Sequence, residues 1–102
     1  MFKIVETSTD KLIIAEIISK SIINSKLSTC VQIIDGIKSY YIWKNKIVSS
    51  NEYTIKIKTI ENHINKISSI IKEKSNYDVP EVISYEFRIE DKEYENWFNE
   101  NI

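Results

Sequence analysis

Tyr77 and Glu81 stand on either side of Pro80, the only proline in the chain. Proline fixes its own φ and holds the backbone between them rigid. A phenol and a carboxylate on such a segment, joined by the ammonium of Lys58, can hold a small anion or a zwitterion. Glu81 can instead help to bind a hard cation. The same three groups can equally form a structural ion pair and a packed tyrosine. Cys30 is the single cysteine. As a thiolate it can ligate a soft metal; as a thiol it is a small apolar side chain, and the surrounding pattern favours burial on a central strand. His63 is the single histidine. It lies off the apolar stripe of its helix, and a metal site gathers several ligands, so it reads as a solvated surface residue.

No nucleophile elbow, phosphate loop or Cys/His pair at a catalytic spacing is present, so the chain is not expected to be an enzyme. Acylphosphatase-like chemistry needs a guanidinium to cradle phosphate. The only arginine is Arg88, late in the last strand pattern, which disfavours that chemistry. Lys and Arg total 14 against 15 Asp and Glu, for a net charge of −1. With both signs interspersed there is no basic stripe for nucleic acid, and an RNP-like run is lacking too. No apolar run approaches the roughly 20 residues of a membrane span. The N-terminus reads as a strand and not as a signal peptide. One cysteine cannot make an intrachain disulfide, and a cytoplasmic protein is expected.

The chain of 102 residues suits one domain, 1–102, with a modest core. Phe2–Thr7 is β-type. Ser8, Thr9 and Asp10 offer helix N-caps, and Ile13, Ile14, Ile17, Ile18 and Ile22 recur at helical spacing. Leu27–Trp43 is a long β segment. Gly36, the only glycine, marks a bulge or bend in it. Lys44-Asn45-Lys46 reads as a hairpin turn, with Ile47–Thr59 as the return strand. A second helix carries Ile60, Ile64, Ile67, Ile70 and Ile71 on one stripe. After Pro80 comes a strand over Ile83–Ile89. Asp91 caps a last helix with Tyr94, Trp97 and Phe98, and the acidic residues around it read as a solvated face. The order β-α-β-β-α-β plus a short helix predicts an α+β, ferredoxin-like split βαβ fold, with an antiparallel sheet and both helices on one face. Tyr40, Tyr41, Trp43 and Tyr53 give the hairpin apolar groups on both faces, which predicts oligomerisation through the bare sheet face or the hairpin edges.

With these elements placed, the chain resembles the CutA family of divalent-cation tolerance proteins over nearly its whole length. Leu27-Ser28-Thr29-Cys30-Val31-Gln32-Ile33 is similar to the family's LAACVNI strand. Gly36–Lys44 is similar to its PGVxSxYxWxG segment. Glu52 and Ile57-Lys58-Thr59 fit ExxxxIKT, Tyr77–Val82 fits the YEVPEI part of HPYEVPEI, and Tyr94 and Trp97 fit the closing YLxW. The resemblance implies a homotrimer with strands pairing between subunits, binding of copper or another divalent cation, and a cytoplasmic location. It places the segments of Lys58, Tyr77 and Glu81 beside a cleft between subunits, which Trp43 could line. The histidines proposed as copper ligands in the family would fall at Lys74 and Ser75, and a cysteine that some members carry falls at Glu6. Imidazole and thiolate suit copper; an ammonium, a hydroxyl and a carboxylate do not. Candidate metal ligands are therefore Cys30, Glu81 and Glu6. Two functions remain: a non-enzymatic trimer in metal tolerance or scaffolding, and a regulatory module, like the trimeric PII signalling proteins, with a small ligand in its clefts.

Overall fold

Three long alternating segments rich in isoleucine build a sheet, and two helices with apolar stripes cover one side of it. In the computed structural model, residues 1–102 form β1 (Phe2–Thr9), α1 (Leu12–Asn24), β2 (Cys30–Trp43), β3 (Lys46–Ile60), α2 (Ile64–Lys74), β4 (Ile83–Glu86) and α3 (Lys92–Glu100), with a 3₁₀ turn at Glu61–His63. The strand order is β2-β3-β1-β4, and every neighbouring pair is antiparallel. This is the ferredoxin-like arrangement expected from the element order.

Directly opposed residues share a sheet face. Val5 faces Ile57, Thr7 faces Ile55 and Thr9 faces Tyr53 on the side covered by helices. There Val5, Ile55 and Ile57 pack with Ala15, Ile18 and Ile22 of α1 and Ile67 and Ile71 of α2. Each fully buried isoleucine contributes about 1.5–3 kcal/mol. The core stripe of α1 is thus Ala15, Ile18 and Ile22. Ile13 and Ile17, expected on that stripe, are exposed, because the buried arc is centred one residue further on. A second cluster closes the far end of the sheet. Phe2, Phe87 and Phe98 meet with ring centroids 5.3–6.2 Å apart, and Phe98 is fully buried.

The long hairpin bends where its sequence demands it. The β2–β3 register shifts between Ile34 and Ile37, and Gly36 there has φ +82°, a conformation that costs any other residue. The turn is made by Lys44 and Asn45, both with positive φ, which suits a tight two-residue hairpin.

Four local expectations are corrected. Cys30 does not lie on a central strand: β2 is an edge strand, and Cys30 is half-buried at its start. The last strand ends at Glu86 and not at Ile89, since Phe87 makes one more backbone bond, to the Phe2 carbonyl, before the chain leaves the sheet. Asp10 does not cap α1. The N-cap position is Lys11, without a side-chain bond, while Asp91 does cap α3 by accepting from the Tyr94 N–H at 2.8 Å. His63 is not a free surface residue. It is half-buried, and its Nδ1 lies 3.2 Å from the Leu27 carbonyl, to which an N–H there donates.

Candidate functional site

Beyond the Gly36 bend, the hairpin leans over the segment that links α2 to β4. Between them lies a cleft of about 730 Å³. Ser39, Tyr41 and Trp43 line it from β2, Glu52 from β3, and Tyr77 and Glu81 from the linking segment. The register sets this composition. Ile37 opposes Glu52, Ser39 opposes Ser50 and Tyr41 opposes Val48, so alternate residues of both strands point to the cleft side.

The linking segment is held by side chains. The Tyr77 N–H donates to Ser75 Oγ at 3.1 Å. Asn76 accepts from Thr9 Oγ1 at 2.6 Å and donates to Asp10 at 2.8 Å. This role of Asp10, as anchor of the segment, replaces the capping role. The Tyr77 hydroxyl donates to Glu52 Oε2 at 2.5 Å. Burial first, then the hydrogen bond and charge of Glu52, push the Tyr77 phenol well above its ordinary pKa. Its proton therefore stays on through the neutral range, and Tyr77 is a fixed donor. The same bond explains how Glu52, only 7% exposed, stays in the fold: a buried carboxylate needs a donor.

Glu81 sits across the cleft. Glu81 is exposed as a residue, but partial desolvation of its carboxyl, then the charges of Glu6 and Glu52, hold it above the usual carboxylate range. Glu6 lies on the bare sheet face and accepts from the Tyr85 hydroxyl at 2.5 Å. That bond, followed by burial and the Glu6 charge, pushes the Tyr85 phenol up to about 12.

Tyr77, Glu81 and Trp43 do share a cleft, but Lys58 is not in it. Lys58 opposes Ile4 and Cys30 near the end of β3, six residues and about 20 Å of strand from Glu52. Its Nζ lies 3.4 Å from the Tyr94 hydroxyl and 5.7 Å from that ring's centre. A second, shallower groove of about 360 Å³ holds Lys58, Arg88 and Tyr94. The expected pairing of Lys58 with Glu81 is thereby corrected: the two belong to opposite ends of the sheet.

Of the metal candidates, Cys30 stays apart from Glu6 and Glu81. No three His, Cys, Asp or Glu side chains come together as a metal-binding group. Cys30 is at the Lys58 end, Glu6 on the sheet face and Glu81 in the cleft. Lys74 lies 3.7 Å from Glu73, and Ser75 holds the Tyr77 N–H. Copper wants imidazole and thiolate in one place, and this chain's own residues do not fit it.

Glu52 was the residue least visible in the sequence. Alternation groups it with Thr54, Lys56 and Lys58 on a polar face. Only the tyrosine approaching from 25 positions later buries it. The signal available was its place in the ExxxxIKT match.

Comparison with known proteins follows the same architecture. A family model described as "CutA1 divalent ion tolerance protein" matches residues 3–101. A divalent-cation tolerance protein CutA of Thermus thermophilus is 30% identical over 88 residues, covering 86% of this chain and 85% of that protein. A chloroplastic CutA 1 of Oryza sativa is 38% identical over 77 residues, which are 76% of this chain and 44% of that longer protein. Among solved structures, the Thermus thermophilus protein superposes with a TM-score of 0.91 at 28% identity, over 99% of this chain and 98% of that one. The periplasmic divalent cation tolerance protein CutA from Archaeoglobus fulgidus superposes at 0.92 with 27% identity, over 99% and 98%.

Proposed function

We propose, from the cleft and from the fact that this chain belongs to the CutA1 divalent ion tolerance protein family, that it is a non-enzymatic binding module that works as a homotrimer. The cleft between the hairpin and the Tyr77–Glu81 segment is its ligand site. One observation carries this reading. The cleft is held by a set of side-chain bonds, with Glu52 buried under Tyr77, and its two serines, Ser8 and Ser39, share the lining with no histidine or lysine that would activate them. A site built to bind and not to react suits a regulatory module.

Self-association is supported by the outer side of the hairpin. Tyr40, Ile42 and Ile47 are 70%, 74% and 82% exposed, and Ile42 directly opposes Ile47. Apolar groups this exposed on a projecting hairpin need a cover, and a second copy of the chain would supply it; since Tyr40 and Ile42 also border the cleft, that copy would form part of its rim. No helix is long and apolar enough to cross a membrane. A cytoplasmic location belongs to the same proposal.

A second reading is direct binding of copper or another divalent cation, as the family description suggests. Glu6 and Glu81, close enough for one charge to raise the other's pKa, would then be completed by ligands from a neighbouring subunit.

Sedimentation equilibrium at micromolar concentration should give three times the monomer mass, and Ile42→Asp with Ile47→Asp should lower it. A thermal-shift screen of metals, nucleotides and small organic ions should stabilise wild type. At 100-fold excess over the dissociation constant the gain is about 2.7 kcal/mol. Glu81→Ala should lose it and Lys58→Ala should keep it. A monomer, or stabilisation that follows Lys58, contradicts the proposal.

A further inference from the structure

The cleft has a charge and a wall chemistry that narrow what can enter it. Glu52, Asp78 and Glu81 contribute to its lining, and no lysine, arginine or histidine does. Lys58 and Arg88 are in the second groove. Lys38 stands over the ring of Tyr40 with its Nζ 6.0 Å from the centre, and Lys46 opposes Trp43 at the hairpin tip, but neither lines the cleft. An anion brought into it would meet carboxylates and no cation in the lining.

Glu52 adds a second, independent observation. It is more than nine-tenths buried. Oε2 takes the Tyr77 proton, while Oε1 has no hydrogen-bond or ion-pair partner within the chain. The free oxygen of a half-paired carboxylate gains most from a donor that also carries positive charge. The walls include the rings of Tyr41, Trp43 and Tyr77, whose faces attract a cation that still has carbon attached to it.

We infer that the cleft takes an organic ammonium ion, with the charged head between Glu52 and Glu81 and the carbon chain along Tyr41, Trp43 and Tyr77. The inference rests on the cleft being the ligand site and names the class of ligand. A bare divalent ion needs a compact set of oxygen or nitrogen donors, and the cleft's carboxylates do not form one. A cavity of about 730 Å³ is instead in the range that takes small organic molecules. Desolvation, then the charges of Glu6 and Glu52, hold Glu81 above its ordinary range, and a cation placed there offsets the repulsion among the carboxylates.

The test is a titration of the assembled protein carrying Trp97→Phe, so that Trp43 is the one reporter of indole fluorescence. The probes are n-hexylammonium, hexanoate and 1-hexanol. Hexylammonium should change Trp43 emission saturably, with a dissociation constant around the millimolar range for a ligand of so few atoms. Glu81→Gln should weaken it about tenfold. Tyr41→Leu should weaken it by about threefold or more, while Tyr41→Phe, which keeps the ring face, should not. Preference for hexanoate overturns the ligand class and leaves the cleft standing as a ligand site. Equal binding of all three probes does the same, as it shows an apolar cavity without charge selection. No saturable binding by any probe overturns both. Hexylammonium that binds only after the assembly is dissociated shows that a second copy fills the cleft, and overturns the inference.

Discussion

Replacing Tyr77 with Phe removes one oxygen and tests what holds the cleft together. Tyr77 donates to Glu52 at 2.5 Å, and Glu52 has no other partner. A hydrogen bond to a charged group contributes about 1.5–3 kcal/mol, and losing it strands a buried carboxylate. The cleft lets water reach that carboxylate, so the lower half of the range applies, about 2 kcal/mol. For 102 residues at about 2.1 cal/mol/K per residue, this lowers Tm by about 9 °C. Thermal melts at one fixed protein concentration should show it. In a cycle with Glu52→Ala, the pair should couple by about 1–2 kcal/mol. There is also a pH signature. The folded Tyr77 pKa is raised above its unfolded value of about 10. Its contribution is therefore complete below pH 10 and is lost as pH rises, because the unfolded phenol releases its proton first. The gap between wild type and Tyr77→Phe should narrow above pH 10. A change within 0.5 kcal/mol, or an equal loss in the Glu52→Ala background, would refute the clamp.

Phe98→Ala should cost about 3–5 kcal/mol, read by chemical denaturation, because its ring fills the space between Phe2 and Phe87. Gly36→Ala should cost about 1 kcal/mol through its φ of +82° alone, with near-native cleft geometry, as nothing lies within 4 Å of the added Cβ. Glu81→Gln should raise stability slightly at pH 7, by no more than about 0.5 kcal/mol for a residue that remains exposed. Because the folded Glu81 pKa is raised, the wild-type penalty appears only as pH climbs through it. The gain should vanish below about pH 4, where the carboxyl is protonated in both states.

The sheet order, the two helices and the hairpin with its glycine bend were legible, because each rests on a local pattern. Alternation placed Ile55 and Ile57, and helical spacing placed Ile18, Ile22, Ile67 and Ile71. The motif matches led to the family. The site was legible only in part. Tyr77, Glu81 and Trp43, expected beside a cleft between subunits, line one cleft within the chain, while Lys58, grouped with them through its motif, lies at the other end of β3. Glu52 and the Asn76 bridge to Thr9 and Asp10 were invisible, since they depend on a loop meeting strands 25 to 67 positions away. Asp10 looked like a cap because aspartate before a helix usually is one. Nothing local shows that an asparagine from another segment will claim it.

Amide chemical-shift mapping of a ligand from the stabilisation screen, on isotope-labelled assembled protein, tests the central claim that the hairpin cleft is the binding site. The perturbations should centre on Tyr41, Trp43, Tyr77 and Glu81, and leave Lys58 and Tyr94 unmoved. Shifts concentrated at Lys58, Arg88 and Tyr94, with the Tyr77–Glu81 segment silent, would contradict it.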